Sequence, residues 1–179
     1  MRDKPRYKLP TEDRLTRSAL HYLERYSSSR ANLRKVLERK VFKACKALEK
    51  DPAEFDTLID NVIDKCVRAS LVDDQSYAET KTASLRRRGS SRRKIEAHLS
   101  AKGVDRSTIE TVLSSDSHDD ETVALTFAKR RRLGPFRKPS EREERRDKDL
   151  AAMCRAGFSF DLARRVITAE PDPVDDESA

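Results

Sequence analysis

Apolar residues recur at helical spacing almost from the start of this chain. Leu15, Ala19, Tyr22, Leu23 and Tyr26 fall on one face of a helix beginning near Thr11. Ser27-Ser28-Ser29 breaks that pattern and supplies cap residues for a second helix, whose stripe is Leu33, Val36, Leu37, Val41, Ala44, Cys45 and Leu48. Lys50-Asp51-Pro52 ends it, because proline disfavours helical backbone at the residue before it. The third helix has the clearest period, with Phe55, Leu58, Ile59, Val62, Ile63, Cys66 and Val67 at i, i+3, i+4 and i+7. No alternating strand pattern competes, so the fold class is all-α.

The same pattern then repeats. A shift of 62 positions carries Leu23 onto Leu85, Ser28-Ser29-Arg30 onto Ser90-Ser91-Arg92, Leu33 onto Ile95, Leu37 onto Leu99 and Lys40 onto Lys102. Beyond that point the shift falls to 54, pairing Phe55 with Ile109, Leu58 with Val112 and Ile59 with Leu113. The surplus of eight residues, roughly two helical turns, gives repeat one a longer middle helix or linker. The shift of 54 also carries Arg92 onto Arg146, Leu99 onto Met153 and Gly103-Val104 onto Gly157-Phe158. Tandem three-helix repeats are therefore expected over 11–71, 72–118 and 119–169. Residues 1–10 read as a disordered basic arm, and 170–179 as an acidic disordered tail.

Punctuation agrees with this division. Asp73 and Asp74 can cap the helix that follows Leu71-Val72; two adjacent carboxylates without further ligands make a poor metal site. Asp119-Asp120-Glu121 caps the helix carrying Val123, Phe127 and Ala128. Gly89, Gly103, Gly134 and Gly157 all fall where a helix should stop. The proline-bearing, charge-dense stretch 134–146 reads as a loop or a frayed helix start.

Composition narrows the function. With 36% hydrophobic and 40% charged residues, no Trp and a mean hydropathy of −0.85, thin cores shared between neighbouring repeats fit better than one large core. The formal charge of +7 favours a polyanionic partner: nucleic acid, an acidic protein face or anionic lipid. Cys45, Cys66 and Cys154 are odd in number, widely spaced and set in apolar helical patterns, as reduced core thiols of a cytoplasmic protein would be. No long apolar run argues for a membrane span. His21, His98 and His118 are scattered, and phosphate loop, paired-cysteine zinc motif and nucleophile elbow are all missing, so neither cofactor, metal nor catalysis is expected.

Basic residues carry what remains. Arg86, Arg87 and Arg88 end a helix, where cations also favour the negative pole. Arg92, Arg93 and Lys94 open the next helix, where the dipole opposes them by ~0.3–1 kcal/mol each, and a cost accepted there points to a partner. Arg30 and Arg146 are the equivalents of Arg92, and Arg130, Arg131 and Arg132 those of Arg86, Arg87 and Arg88. With Lys102 these positions define a candidate basic stripe. Aromatic platforms for stacking bases are not evident: Tyr77, Phe127 and Phe158 lie on apolar faces, and Phe136 in the basic loop is the one aromatic expected to be exposed.

The stretch Leu71-Val72-Asp73-Asp74 with Tyr77-Ala78, then Arg88-Gly89, Ile95, Leu99 and Lys102-Gly103-Val104, resembles the RecX family of bacterial recombinase regulators. The terminal Arg155-Ala156-Gly157-Phe158-Ser159 resembles its last motif. That resemblance implies an elongated, curved array of three-helix repeats that binds RecA filaments on DNA. It implies inhibition of ATP hydrolysis and strand exchange without catalysis, with direct contact to DNA as well. Ala156 stands where repeat two has Lys102, which places the strongest part of the stripe in the middle repeat. The protein is taken as a cytoplasmic monomer. A stand-alone DNA-binding helical module is the competing expectation; the helices that would read bases lack a cluster of Asn, Gln and Ser.

Overall fold

The computed structural model describes residues 7–170. Among them are nine α-helices: α1 Glu12–Leu23, α2 Arg30–Leu48, α3 Asp56–Arg68, α4 Asp74–Arg86, α5 Arg92–Ala101, α6 Arg106–Ser114, α7 Asp120–Arg131, α8 Arg142–Arg155 and α9 Phe160–Thr168. Single 3-10 turns occur at Pro52–Phe55, Gly134–Phe136 and Pro139–Glu141, and no strand occurs among the described residues. The chain is all-α, as its periodicity indicates. The first six residues of the expected basic arm, and the expected acidic tail from 171 on, lie outside the described residues. Residues 7–10 have no regular structure, and Pro10 is buried.

Two compact units divide the chain. One takes everything up to Ala78 together with Ser100–Thr108; the other takes Glu79–Leu99 and everything from Ile109 on. The first unit's core gathers Leu15 and Ala19 of α1, Leu33, Leu37, Val41 and Cys45 of α2, and Ile59, Val62, Ile63 and Cys66 of α3, with Val72. These are the expected stripes, and burial of each large side chain contributes about 1.5–3 kcal/mol. Tyr26 departs from its stripe: α1 closes at Leu23, the chain turns toward the buried Ser28 and Ser29, and Tyr26 is left 57% exposed.

The change of shift from 62 to 54 falls where α2 outruns α5. α2 has 19 residues and α5 has 10. Where α5 is followed by Gly103 in the left-handed conformation (φ +73), the aligned Val41 is a buried helical residue, so α2 runs on to Leu48. It stops at Glu49, which takes a left-handed φ of 54°.

The second unit's main core joins Val123, Ala124 and Ala128 of α7, Met153 of α8, and Leu162, Ala163, Val166 and Ile167 of α9, with Leu133, Ala156 and Phe158. Ile95, Leu99, Ile109, Val112 and Leu113 are buried as well. The stretch 134–146 is a pinned connection that passes into the start of α8. Arg142 donates to the Arg137 carbonyl (2.9 Å) and the Pro135 carbonyl (2.8 Å). The buried Asp149 carboxylate accepts from the Gly134 N–H (2.9 Å) and from Arg137 Nε (3.1 Å) and Nη2 (2.8 Å).

One joint occurs twice. Ser29 caps α2 by accepting the Asn32 N–H, and its hydroxyl donates to the Lys102 carbonyl. Ser91, its aligned counterpart, accepts the Lys94 N–H (3.3 Å) at the start of α5 and donates to the Ala156 carbonyl (2.6 Å). The carbonyls that accept come from aligned positions too, each just before a positive-φ glycine, Gly103 or Gly157. The first joint lies within the first unit and the second within the other.

Candidate functional site

Within the second unit, the end of α4, the start of α5, the end of α7 and the end of α8 meet around two adjoining depressions. The larger, about 650 Å³, is lined by Arg93, Lys94, Ala97, Cys154, Arg155 and Gly157 among others. The smaller, about 350 Å³, is lined by Arg88, Gly89, Phe127, Arg130 and Arg131. Both include Ser90, Lys94 and Ala156, so Lys94 stands on the ridge they share.

Backbone chemistry assembles this groove. Gly89 (φ +80) brings the α4 terminus against α7, where a Cβ on residue 89 would meet the Phe127 amide nitrogen at 2.7 Å. Arg130 Nη1 donates to the Arg88 carbonyl (3.1 Å), satisfying a helix-terminal acceptor. The Arg131 guanidinium lies 5.6 Å from the Phe127 ring centroid, and Phe127 packs on Phe158 at 5.5 Å. Ser91 holds α5 on the Ala156 carbonyl, which places Arg93 and Lys94 beside Arg155.

The groove's lining carries six Lys and Arg side chains. Among the described residues, no carboxylate pairs with Arg88, Arg93, Lys94, Arg130, Arg131 or Arg155. The first turn of α5 contains no acidic residue, so Arg92, Arg93 and Lys94 face the positive end of their helix uncompensated. An anionic partner laid along the groove would gain from all of these at once.

The chain's relatives give this site its context. The RecX family model for the second three-helix domain matches residues 73–113. A regulatory protein RecX of Myxococcus xanthus (strain DK1622) is 39% identical over 171 residues, covering 94% of this chain and 90% of that relative. The chain belongs to the RecX family. The regulatory protein RecX of Agrobacterium fabrum is 30% identical over 159 residues, covering 89% of this chain and 84% of its own length. That of Corynebacterium efficiens is 34% identical over 125 residues, covering 64% of this chain and 59% of its own length. No solved structure matches.

The basic stripe read from the RecX-like sequence resolves into several different situations. Arg88, Arg93, Lys94, Arg130 and Arg131 come together in the groove, while Arg87, Arg92 and Arg132 are exposed outside its lining, Arg132 as the left-handed cap of α7 (φ 53°). Arg86 does not belong to an accessible stripe. It is 3% exposed, its Nε 2.6 Å from Asp116 Oδ2 and its Nη1 2.7 Å from Asp120 Oδ1. Burial alone pushes the Asp116 carboxyl up, but hydrogen bonds from His118 and Arg86 outweigh it and hold the group below its ordinary value.

Arg30 pairs with Asp64 at 2.6 Å. Lys102 is half-buried, with Nζ donating to Asn32 Oδ1 (3.2 Å). Arg146 lies in the second turn of α8, 3.7 Å from Glu143, because α8 starts at Arg142, one turn earlier than the alignment with Arg92 implies. Phe136 is half-buried against the core, with Lys129 Nζ 6.0 Å from its ring centroid, and is not the exposed aromatic its loop position indicates. Arg155 is missing from the expected stripe: the sequence marks it only as the first residue of the terminal Arg155-Ala156-Gly157-Phe158-Ser159 motif, and its place in the groove depends on the Ser91–Ala156 contact between distant segments.

No helix among the described residues is long and apolar enough to cross a membrane.

Proposed function

We propose that this RecX-family protein regulates RecA by binding RecA–DNA filaments in the cytoplasm, mainly inhibiting recombinase activity, ATP hydrolysis and strand exchange. It does so by occupancy and without catalysis, as a monomer. The observation that carries this reading is the basic groove: Arg88, Arg93, Lys94, Arg130, Arg131 and Arg155 converge there with no carboxylate partner among the described residues. A folded protein keeps such a concentration of like charge only at a cost in self-repulsion, which an acidic surface or phosphate backbone offsets. Kinship with the regulatory proteins RecX of Myxococcus xanthus and Agrobacterium fabrum supports the same assignment.

In this reading residues 11–71, 72–118 and 119–169 are three successive repeats joined by the serine-to-carbonyl bonds of Ser29 and Ser91. The middle repeat then supplies Arg93 and Lys94 to the groove, and the third supplies Arg130, Arg131 and Arg155.

Adding the protein to RecA assembled on single-stranded DNA and following ATP hydrolysis and strand exchange tests the proposal. Both should fall as the protein approaches stoichiometry with RecA. Unchanged rates at stoichiometric protein would rule it out.

A further inference from the structure

A second group of unpaired cations surrounds an exposed tyrosine in the unit built from α1, α2 and α3. Tyr26 lies just beyond the end of α1, with its ring centroid 5.2 Å from that of Tyr22 and the two planes inclined by 37°. Tyr22 is fixed in place. Its hydroxyl accepts from Asn32 Nδ2 at 3.0 Å, and the same Asn32 amide donates to Ser28 Oγ at 2.8 Å and accepts from Lys102 Nζ at 3.2 Å. Tyr26 thus rests on an anchored ring with 57% of its own surface in solvent.

Arg17, His21, Arg25 and Lys40 share a cleft of about 390 Å³ with the two tyrosines. Arg17 Nε donates to the Asp13 carbonyl (3.3 Å) and Lys40 Nζ to Ser18 Oγ (2.7 Å). Among the described residues, none of these four pairs with a carboxylate. Three other cations of this unit are paired, Arg30 with Asp64, Arg34 with Asp60 and Glu38, and Lys65 with Glu12. The cleft therefore holds unmet positive charge, and that charge lies beside an open aromatic face.

An acidic peptide or a phosphorylated lipid would use the cations and leave the ring unmatched. Duplex DNA would too, because its base faces are already stacked on one another. A single strand offers both halves of the complement, an unstacked planar base and a phosphate on either side. We propose that this cleft binds single-stranded nucleic acid, one base stacking on Tyr26 while flanking phosphates contact Arg17, Arg25 and Lys40. The inference goes beyond the filament reading and stands on this unit's own geometry, so it is tested without RecA.

The full-length protein is titrated onto a fluorescein-labelled oligothymidine and onto a duplex of equal length, at low and moderate salt. Tyr26→Ala should weaken single-strand binding about fivefold to a hundredfold, Tyr26→Phe should retain it, and duplex binding should change little. Arg17→Glu with Arg25→Glu should weaken binding and flatten its salt dependence. Wild-type affinity in Tyr26→Ala, equal losses on single strand and duplex, or no binding of single strands at low salt would each overturn the proposal. Photo-crosslinking of wild-type protein to iododeoxyuridine-substituted oligothymidine gives a readout independent of variant folding: the adduct should map to Tyr26, and one confined to residues outside the cleft would overturn it. Loss of RecA inhibition with this stacking intact would count against the filament reading alone.

Discussion

The Ser91 hydroxyl donates to the Ala156 carbonyl at 2.6 Å in a buried contact between residues 65 positions apart, while also capping α5. Ser91→Ala removes a helix cap and leaves a buried carbonyl without its donor, so unfolding free energy should fall by about 1–3 kcal/mol. Ser29→Ala, which breaks the corresponding bond to Lys102, should also destabilise. Urea unfolding followed by far-UV circular dichroism measures both, and a stability equal to wild type for Ser91→Ala would mean that the joint contributes nothing.

Gly89 should tolerate no side chain. A Cβ there combines a left-handed φ of +80° with an approach of 2.7 Å to the Phe127 nitrogen and 2.9 Å to its Cα, backbone atoms that cannot swing aside. Gly89→Ala should cost more than ~2 kcal/mol, from left-handed strain together with the clash. The contrasting substitution is Glu49→Gly, which relieves a non-glycine residue at φ 54° and should leave stability unchanged or raise it by up to ~1 kcal/mol. Thermal melts of the two variants should therefore move in opposite directions, or at least differ by several degrees.

Neighbouring arginines of α4 should behave as opposites. Arg86→Ala strips the partner from the buried Asp116 and should destabilise by about 3 kcal/mol, whereas Arg87→Ala alters only an exposed side chain and should stay within ~0.5 kcal/mol of wild type. Chemical denaturation of the pair at pH 7 checks this.

Acid should weaken the same network. Asp116 is held below its ordinary value by His118 and Arg86 against the upward push of burial, and Asp149 by Arg137 and the Gly134 N–H against the same push. A carboxylate that titrates lower in the folded than in the unfolded chain stabilises the fold above its unfolded value of ~3.9 and loses that contribution as pH falls through the folded value. Unfolding free energy should thus be level from neutrality to about pH 5 and decline below about pH 4. Asp116→Asn should lower stability at pH 7 and make the acid decline shallower; an unchanged acid limb would remove Asp116 from the account.

Much of this fold is legible in the apolar spacing, because each helix buries one face and Leu33, Leu37, Ile59, Ile95 and Leu99 are spaced as such a face requires. The repeated Ser-Ser-Arg is legible as a repeat, but not its reason: the serine acts through a carbonyl more than sixty residues away, and local pattern carries no record of that pairing. The basic residues show the same limit. Composition and helix dipoles single out Arg93 and Lys94, yet Arg86 looks like its neighbours until Asp116 and Asp120 close on it from beyond α6. Tyr26 falls on the helical period but lies beyond the end of α1, where the chain passes to the buried Ser28 and Ser29.

Reversing the groove while sparing the core tests the central claim most directly. The variant carries Arg88→Glu, Arg93→Glu, Lys94→Glu and Arg130→Glu, all exposed positions, and should keep its helical spectrum with a melting temperature close to that of the wild type. Co-sedimentation with RecA filaments on single-stranded DNA, run with an ATPase assay on the same mixtures, reads binding and regulation together. Wild type should pellet with the filaments and slow hydrolysis, and the folded variant should lose at least tenfold in both. Full inhibition by the folded variant, or failure of wild type to bind, would contradict the account.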